Sequence, residues 1–237
     1  MTNKFFIEIG SSDFDTLLPL AKQGWKGMVV EAVPDLINNL EKVKGVIYEN
    51  VAVWDKKGTT TIQYYDPNMG LPEWSRGVGQ ITQASDQLNY NRNPQWDNYK
   101  RTTKVPMVRL DDLITKHKIK KIDFLKVDIE GGERPILMDY SFKVAPTLMR
   151  IEIEHWPWEQ RMGHPELENG GYPKIWEDLL AVPENKAVID KLEKLGYKIF
   201  WAGGATTNWN SKIDNYSYDS QGKGGYLLSG DIWAIGG

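Results

Sequence analysis

The chain has 237 residues with 29 basic and 32 acidic side chains, a formal net charge of -3 and no cysteine. This length fits one α/β domain, and this charge excludes a general electrostatic attraction to nucleic acid. The lack of cysteine excludes a disulfide framework, a thiolate metal site and a cysteine nucleophile, and it fits a cytoplasmic protein. We expect no secretory signal and no membrane span, because the first apolar run is short and no window reaches the length of a span.

The first part of the chain alternates between strand patterns and helix patterns. Apolar, β-branched runs predict strands, and apolar residues at helical spacing predict helices. Ser11, Ser12 and Asp13 are good N-cap types, so we expect them to begin the first helix. We predict strands over 4–10, 27–31, 46–53 and 59–65, and helices over 14–23 and 34–44. Strands that alternate with helices at this spacing predict a parallel, doubly wound α/β sheet.

Three longer segments, about 66–102, 155–182 and 203–225, lose this periodicity and are rich in polar and aromatic residues. Stretches of this length inside a compact domain are usually functional or disordered. The remaining pattern predicts strands over 105–110, 122–127, 146–154, 197–202 and 230–235, and helices over 111–116 (capped by Asp111), 133–140 and 183–195. Because no linker divides these elements, we predict one domain over 1–237 with three insertions and about seven core strands.

The stretch from Ile122 to Glu133 is the one around which the chain is organised. Its apolar strand ends abruptly in Asp128 and Glu130, and the glycine pair 131–132 follows. Acids at the carboxyl end of a strand in an open α/β sheet lie where such folds bind their ligands. The alternative for both acids is a solvated strand end or a helix-capping role.

The first strand, its glycine and the following helix form a unit that can hold a nucleotide cofactor. A dinucleotide is disfavoured, because only Gly10 of the three fingerprint glycines is present and nearby aspartates would repel a pyrophosphate. S-adenosylmethionine suits an acidic rim better, since it carries a sulfonium, an ammonium group and a ribose diol but no phosphate. Glu31 can accept both ribose hydroxyls, while Glu8 or Asp128 can meet the ammonium group.

Five motifs occur together in a characteristic order and spacing: Ile7-Glu8-Ile9-Gly10, Val30-Glu31-Ala32-Val33-Pro34, Asn50-Val51-Ala52-Val53, Val108-Arg109-Leu110-Asp111-Asp112-Leu113 and Asp123-Phe124-Leu125-Lys126-Val127-Asp128-Ile129-Glu130-Gly131-Gly132-Glu133. In these motifs the chain resembles the FkbM-type methyltransferases, class I enzymes that use S-adenosylmethionine, over roughly residues 5 to 155. The resemblance implies a Rossmann-like sheet of seven strands, mostly parallel, with an antiparallel last strand for which 230–235 is the candidate.

By matched position, the resemblance also implies the cofactor contacts. The methionine portion would meet Glu8, Gly10 and Ser11, and the ribose would meet Glu31. Asn50 and Val51 would flank the adenine, Ala32 would be a further cofactor-binding residue, and Asp128 would sit beside the transferred methyl. The chain has Asp13 or Phe14 where the family usually has a second glycine.

Methyl transfer to an oxygen needs groups that position the acceptor and remove its proton. Asp128, Glu130 and His155 are the candidates, because each follows a strand at the same expected edge of the sheet. A Mg²⁺ ion held by Asp128, Glu130 or Glu154 would also suit an oxygen acceptor, since hard cations take carboxylate ligands.

The resemblance implies O-methylation of a hydroxyl, in first place that of a sugar or glycoconjugate. Aromatic rings among Asn, Gln and Asp in the three insertions suit a saccharide, although the same rings can anchor loops onto the core: Trp74, Tyr90, Trp96, Tyr99, Trp156, Trp158, Tyr172, Trp209, Tyr216 and Tyr218. Two alternatives stay open. One is an N- or O-methyltransferase of another small metabolite, and the other, motivated by the altered glycine motif, is a non-catalytic carbohydrate- or protein-binding module.

Overall fold

The computed structural model of the chain describes residues 4–13, 16–71, 79–81, 98–154, 180, 182–203 and 229–236. Within these residues the elements in chain order are β1 (Phe5–Ile9), α1 (Leu18–Lys22), β2 (Lys26–Val30), α2 (Pro34–Asn39), β3 (Val46–Glu49), β4 (Ala52–Val53), β5 (Gly58–Tyr65), β6 (Gln80–Ile81), β7 (Lys100–Val108), α3 (Leu110–Lys116), β8 (Ile122–Val127), α4 (Glu133–Asp139), β9 (Pro146–Glu154), α5 (Pro183–Lys194), β10 (Lys198–Gly203) and β11 (Ser229–Ile235).

The main sheet has seven strands in the order β10-β11-β9-β8-β1-β2-β3. Every neighbouring pair is parallel except the two pairs that β11 makes with β9 and β10, which are antiparallel. The predicted Rossmann-like α/β sheet, mostly parallel with its last strand antiparallel, is therefore confirmed.

Apolar side chains cover the main sheet on both faces, which is why its central strands read as nearly continuous hydrophobic runs. On one face, α3, α4 and α5 pack against residues such as Ile7, Leu125 and Ile151. On the other face, α1 and residues from α2 pack against Phe6, Val29 and Phe124. No helix in the described ranges is long and apolar enough to cross a membrane.

A second sheet of four strands, in the order β4-β7-β5-β6, carries the strands predicted over 59–65 and 105–110. Its long antiparallel pair β5–β7 packs on Val33, Leu36 and Ala52 rather than extending the main sheet. The strand predicted over 46–53 is broken into β3 and β4. At the break, the Asn50 side chain donates to the carbonyls of Glu31 and Ala32, both at 2.9 Å, and the chain crosses from one sheet to the other.

Two predicted helix caps are wrong. The first helix has Leu17 at its N-cap, and the carboxylate of Glu8, rather than Ser11, Ser12 or Asp13, accepts the Leu17 N–H. Helix α3 begins at Leu110, so Asp111 lies in its first turn, where its carboxylate accepts the N–H and the hydroxyl of Ser141. In both cases the hydrogen bond is made with a residue outside the helix, so the sequence pattern of the helix itself does not reveal it.

We predict that Gly10→Ala lowers the free energy of unfolding by about 3 kcal/mol or more. Gly10 has φ +78°, and a Cβ there would lie 1.7 Å from the carbonyl oxygen of Asp128. Gly196 is the matched control, because its φ is +90° but a Cβ there would meet nothing within 4 Å. Gly196→Ala should cost only the left-handed strain, about 1 kcal/mol. Denaturant unfolding of the two variants measures the difference, and equal losses would show that no close contact exists at Gly10.

Candidate active site

Five residues lie level with one another at the carboxyl end of five neighbouring parallel strands. Ile9 pairs with both Val30 and Val127, Val30 pairs with Glu49, and Val127 pairs with Ile151. The residues that follow these partners therefore lie at one height, where four of the strands end and β9 continues for two more residues to Glu154. We call this set the carboxyl edge; in spatial order it consists of Asn50, Glu31, Gly10, Asp128 and Glu152. Open α/β sheets bind their ligands at this end.

The turn after β1 is tied to the end of β2 through Glu31. The Ser12 N–H donates to Glu31 Oε2 at 2.9 Å, and the Val33 N–H donates to Glu31 Oε1 at 2.8 Å. Burial raises the pKa of the Glu31 carboxyl above its ordinary value, and these backbone hydrogen bonds oppose that rise. Two turns that are distant in sequence thus share one carboxylate.

Ser12 is a site residue that the sequence did not single out. Its φ is +48°, a left-handed conformation that a non-glycine residue rarely adopts. Its Oγ atom is buried and has no hydrogen-bond partner among the described residues, whereas the neighbouring Ser11 hydroxyl donates to the Ser12 carbonyl at 3.1 Å. Because a buried hydroxyl without a partner costs free energy, Ser12 Oγ points to a polar ligand in this turn. The sequence signal that could have identified Ser12 is its position, because it stands where a nucleotide-binding fingerprint has its second glycine.

Ala32, Asn50 and Val51 lie beside Glu31 on the other flank of the edge. The Asn50 amide nitrogen holds the loop after β2 through its two carbonyl acceptors, Glu31 and Ala32. Val51 is half-buried and packs against the main core, and Ala32 packs against the second sheet's cluster. The structure thus gathers three predicted adenine-side residues around one well-fixed loop.

Glu8 lies two residues before the edge residue Gly10 and is 0% exposed. Its carboxylate accepts the Thr16 hydroxyl at 2.8 Å and the Leu17 N–H, and the Lys126 ammonium lies 3.6 Å from its Oε1 atom. Asp128, by contrast, has a side chain that is 25% exposed. Of the two carboxylates predicted to meet the cofactor's ammonium group, Asp128 is the one with an open face.

Asp128, Glu130 and Glu152 form a compact acid cluster. One ligand atom from each lies within 4.8 Å of the others. Glu130 reaches the cluster through a turn in which its own φ is +58° and that of Gly131 is +102°. The sequence had named Glu154 as a third metal ligand, but the β8–β9 register sets Glu152 level with Asp128. The Glu154 side chain and His155 lie outside the described part of the chain, as do the predicted sugar-site aromatics other than Tyr99.

Glu152 is the most constrained acid of the cluster. Burial raises the pKa of its carboxyl well above the ordinary value, and the nearby Asp128, Glu130 and Glu133 raise it further. Its side chain hydrogen-bonds to that of Asp128, whereas its Oε2 atom is buried and has no partner among the described residues. An unpaired buried carboxylate oxygen is unusual, so this atom is open to a proton or a ligand.

The family model of the "Methyltransferase FkbM domain" matches residues 5–199. The chain belongs to the FkbM methyltransferase family. It is therefore an S-adenosylmethionine-dependent methyltransferase, as the sequence motifs predicted. A search of curated proteins finds no match. Among solved structures, a SAM-dependent methyltransferase from Archaeoglobus fulgidus is similar at 13% identity and a TM-score of 0.37, with 98% of this chain and 86% of that chain covered.

The residues of the FkbM-family site fit the cofactor that the family implies. S-adenosylmethionine carries two cationic groups and a ribose diol but no phosphate, and the carboxyl edge presents Glu31, Asp128 and Glu152. The Ser12 hydroxyl, which has no partner in the part of the chain that the structure describes, adds a neutral hydrogen-bonding group at the turn that would receive the methionine portion. A carboxylate-rich edge of this kind favours a cation over an anion.

Glu133 closes the turn that carries the acid cluster. It begins α4, is 2% exposed, and its Oε1 atom accepts the Ile129 N–H at 2.6 Å. Burial, reinforced by the charge of Asp128, raises the pKa of its carboxyl from 4.5 to about 7. The folded protein therefore holds this proton to a higher pH than the unfolded chain does.

We predict that Glu133→Gln flattens the pH dependence of stability between pH 4.5 and 7. In the wild type, a raised carboxyl pKa makes the free energy of unfolding fall as the pH rises through this window, by an amount on the order of 2 kcal/mol. The glutamine keeps an acceptor for Ile129 but does not ionise. Urea unfolding at several pH values, with EDTA present, measures the slope. Glu193→Gln, on the exposed face of α5, is the control, and an unchanged slope in Glu133→Gln would contradict the assignment.

Proposed function

We propose that the chain transfers the methyl group of S-adenosylmethionine to a hydroxyl oxygen, in first place that of a sugar or glycoconjugate. Family membership supplies the methyltransferase and its cofactor. The observation that supports a hydroxyl acceptor is the acid cluster at the edge, where Asp128 is partly open and Glu152 Oε2 has no partner among the described residues. A hydroxyl must lose a proton when it is methylated, and such carboxylates can accept one.

We propose the following roles for the residues at and near the carboxyl edge. Gly10, Ser11 and Ser12 would hold the methionine portion of the cofactor, with Ser12 Oγ as a hydrogen-bonding group. Glu31 would accept the ribose hydroxyls. Ala32, Asn50 and Val51 would flank the ribose and adenine, and Asp128 would face the ammonium group or the reacting methyl. Glu8 would support this arrangement from below, through Leu17 and Lys126.

The bound cofactor supplies an electrophilic methyl group on a cationic sulfur. Asp128 and Glu130 would orient the acceptor hydroxyl toward it, and one of these carboxylates would take the hydroxyl proton as the new oxygen–carbon bond forms. His155 stays the predicted alternative base.

We also propose that residues 1–237 act as one methyltransferase domain with three insertions. We propose further that the protein works in the cytoplasm, because its lack of cysteine fits that compartment.

A Mg²⁺ ion is a further proposal for the same cluster. Asp128, Glu130 and Glu152 each offer an oxygen within 4.8 Å of the others, a spacing that a hard cation can bridge. Such an ion would be held by these three carboxylates and would position the acceptor oxygen. The proposal of a sugar acceptor rests on the aromatic and polar composition of the three insertions. Of the aromatic residues named for these insertions, the structure describes Tyr99 alone.

Glu31→Gln should weaken the binding of S-adenosylhomocysteine by about 10-fold or more, because a hydrogen bond to a charged acceptor contributes roughly 1.5–3 kcal/mol. Isothermal titration calorimetry measures the dissociation constant. The matched control is Glu49→Gln at the end of the next strand, where the carboxylate contacts Lys116 and His117 instead of the edge. Equal affinity for wild type and Glu31→Gln would contradict the ribose role.

The same titration in EDTA and in Mg²⁺ tests the cation. With a metal at the cluster, Mg²⁺ alone should give a saturable heat that Glu152→Gln removes. The metal proposal would be contradicted if the wild type gives no heat with Mg²⁺ and its methyl transfer is unchanged by EDTA. The carboxylates would then act as acid–base groups without a metal.

Asp128→Asn should lower the rate of methyl transfer at least about 100-fold, a larger factor than the one by which it weakens S-adenosylhomocysteine binding. The assay follows a labelled methyl from cofactor to a panel of monosaccharides, glycosides, phenols and amines. Asp123→Asn, at the opposite end of β8, is the control, because its carboxylate accepts the distant Phe5 N–H.

The acceptor panel separates the candidate functions. Transfer to saccharide hydroxyls supports the proposal, and transfer to amines or phenols alone replaces it with the small-metabolite alternative. Cofactor binding without transfer to any acceptor would favour the non-catalytic binding module.

A further inference from the structure

Lys126 is a buried cation in the centre of the main sheet. It lies in β8, is 1% exposed, and pairs in register with Glu8 of β1 on one side and Arg150 of β9 on the other. Lysine is almost never fully buried unless its charge is paired, because removing an ammonium group from water is costly. Because the burial of Lys126 costs free energy, we expect it to have a role that requires a cation at this position.

The contacts of Lys126 run toward the site. Its Nζ atom lies 3.6 Å from Glu8 Oε1 and 3.4 Å from Asp128 Oδ2. Glu8 is itself fixed by the Thr16 hydroxyl and the Leu17 N–H. The lysine is thus held from the side by its register partner Glu8 and presents its charge to Asp128 at the carboxyl edge.

The surroundings of Lys126 carry more carboxyl groups than cations. Asp128, Glu130, Glu133 and Glu152 converge on this end of β8 and β9. The nearest other buried cation described, Arg150, is engaged with Asp231 at 2.7 Å. Lys126 is a buried cation that pairs with Asp128.

An excess of negative charge from the carboxylates that stay ionised here, Asp128 among them, has opposite effects on binding and on reaction. It stabilises a cationic cofactor in the ground state, but the cofactor loses its positive charge as the methyl departs. An interaction that is stronger in the ground state than in the transition state raises the barrier. A fixed cation beside the carboxylates reduces this excess without closing the edge.

We propose that Lys126 is a positioning and charge-balancing residue of the active site. It holds Asp128 at the strand end and offsets the carboxylate charge, so that the site does not retain the cationic cofactor more tightly than its neutral product. This inference rests on the proposed function, because it assumes that the sulfonium binds beside Asp128.

The test compares the affinities of S-adenosylmethionine and S-adenosylhomocysteine, which differ by one methyl and one positive charge. Calorimetric titration with both ligands, at one pH and in EDTA, gives the ratio of their dissociation constants. Lys126→Met should shift this ratio about tenfold toward S-adenosylmethionine, since one unit charge is removed near the site. It should also slow a single turnover with a working acceptor. Lys126→Arg should restore both values.

Glu8 provides the mirror-image control. Glu8→Gln removes a negative charge from the same pair and should shift the ratio toward S-adenosylhomocysteine. The double variant Glu8→Gln/Lys126→Met removes one charge of each sign, so the net charge is unchanged and the ratio should return close to that of wild type. If Lys126→Met does not fold, Lys126→Gln carries the test, because its amide can still donate to Glu8 and Asp128.

A purely structural lysine would weaken both ligands together and leave the ratio unchanged. A ratio within twofold of wild type in a folded Lys126→Met or Lys126→Gln variant therefore overturns the inference while the proposed function stands. A wild type that binds neither ligand overturns both.

Discussion

The site depends on the parallel register of β1 with both of its neighbours. The hydrogen-bond ladder continues one residue beyond the strands, with Gly10 N–H donating to Val30 and Asp128 N–H donating to Ile9, both at 3.0 Å. This extension brings the backbones of Gly10 and Asp128 so close that no side chain fits at Gly10. Residues that are remote in sequence therefore leave the sheet together. The loops add side chains to a geometry that the backbone has already fixed.

Below the edge, the main sheet contains charges that its apolar core does not explain. Glu8 and Lys126 are register neighbours with almost no exposure, and Arg150 pairs with Asp231 on the next strands. Buried ion pairs are poor stabilisers, because desolvation offsets most of their attraction, yet removing one partner is strongly destabilising. Glu8 links this buried pair to the start of α1, because the same carboxylate that faces Lys126 also accepts the Leu17 N–H.

The strands of the main sheet and the residues Gly10, Glu31 and Asp128 could be predicted, because each hydrophobic run ends visibly at a glycine or an acid. Glu152 and the role of Lys126 could not, since they depend on the register between strands, which no local pattern records. The alternating pattern of 58–65 fits either sheet, so it did not reveal the second one. The start of α1 was missed because its capping carboxylate, Glu8, lies nine residues before Leu17.

A carboxylate-rich edge is a good receptor for a cationic cofactor and, by the same physics, a poor place for that cofactor to lose its charge. The two demands conflict at Asp128, the partly open carboxylate beside which the proposed reaction takes place. A cation in solvent would be screened and would compete for the same face. A cation inside the sheet is screened less by solvent and leaves the open face of Asp128 free, and Glu8 holds it in place from the neighbouring strand. The central position of Lys126 follows from this conflict rather than from the stability of the fold.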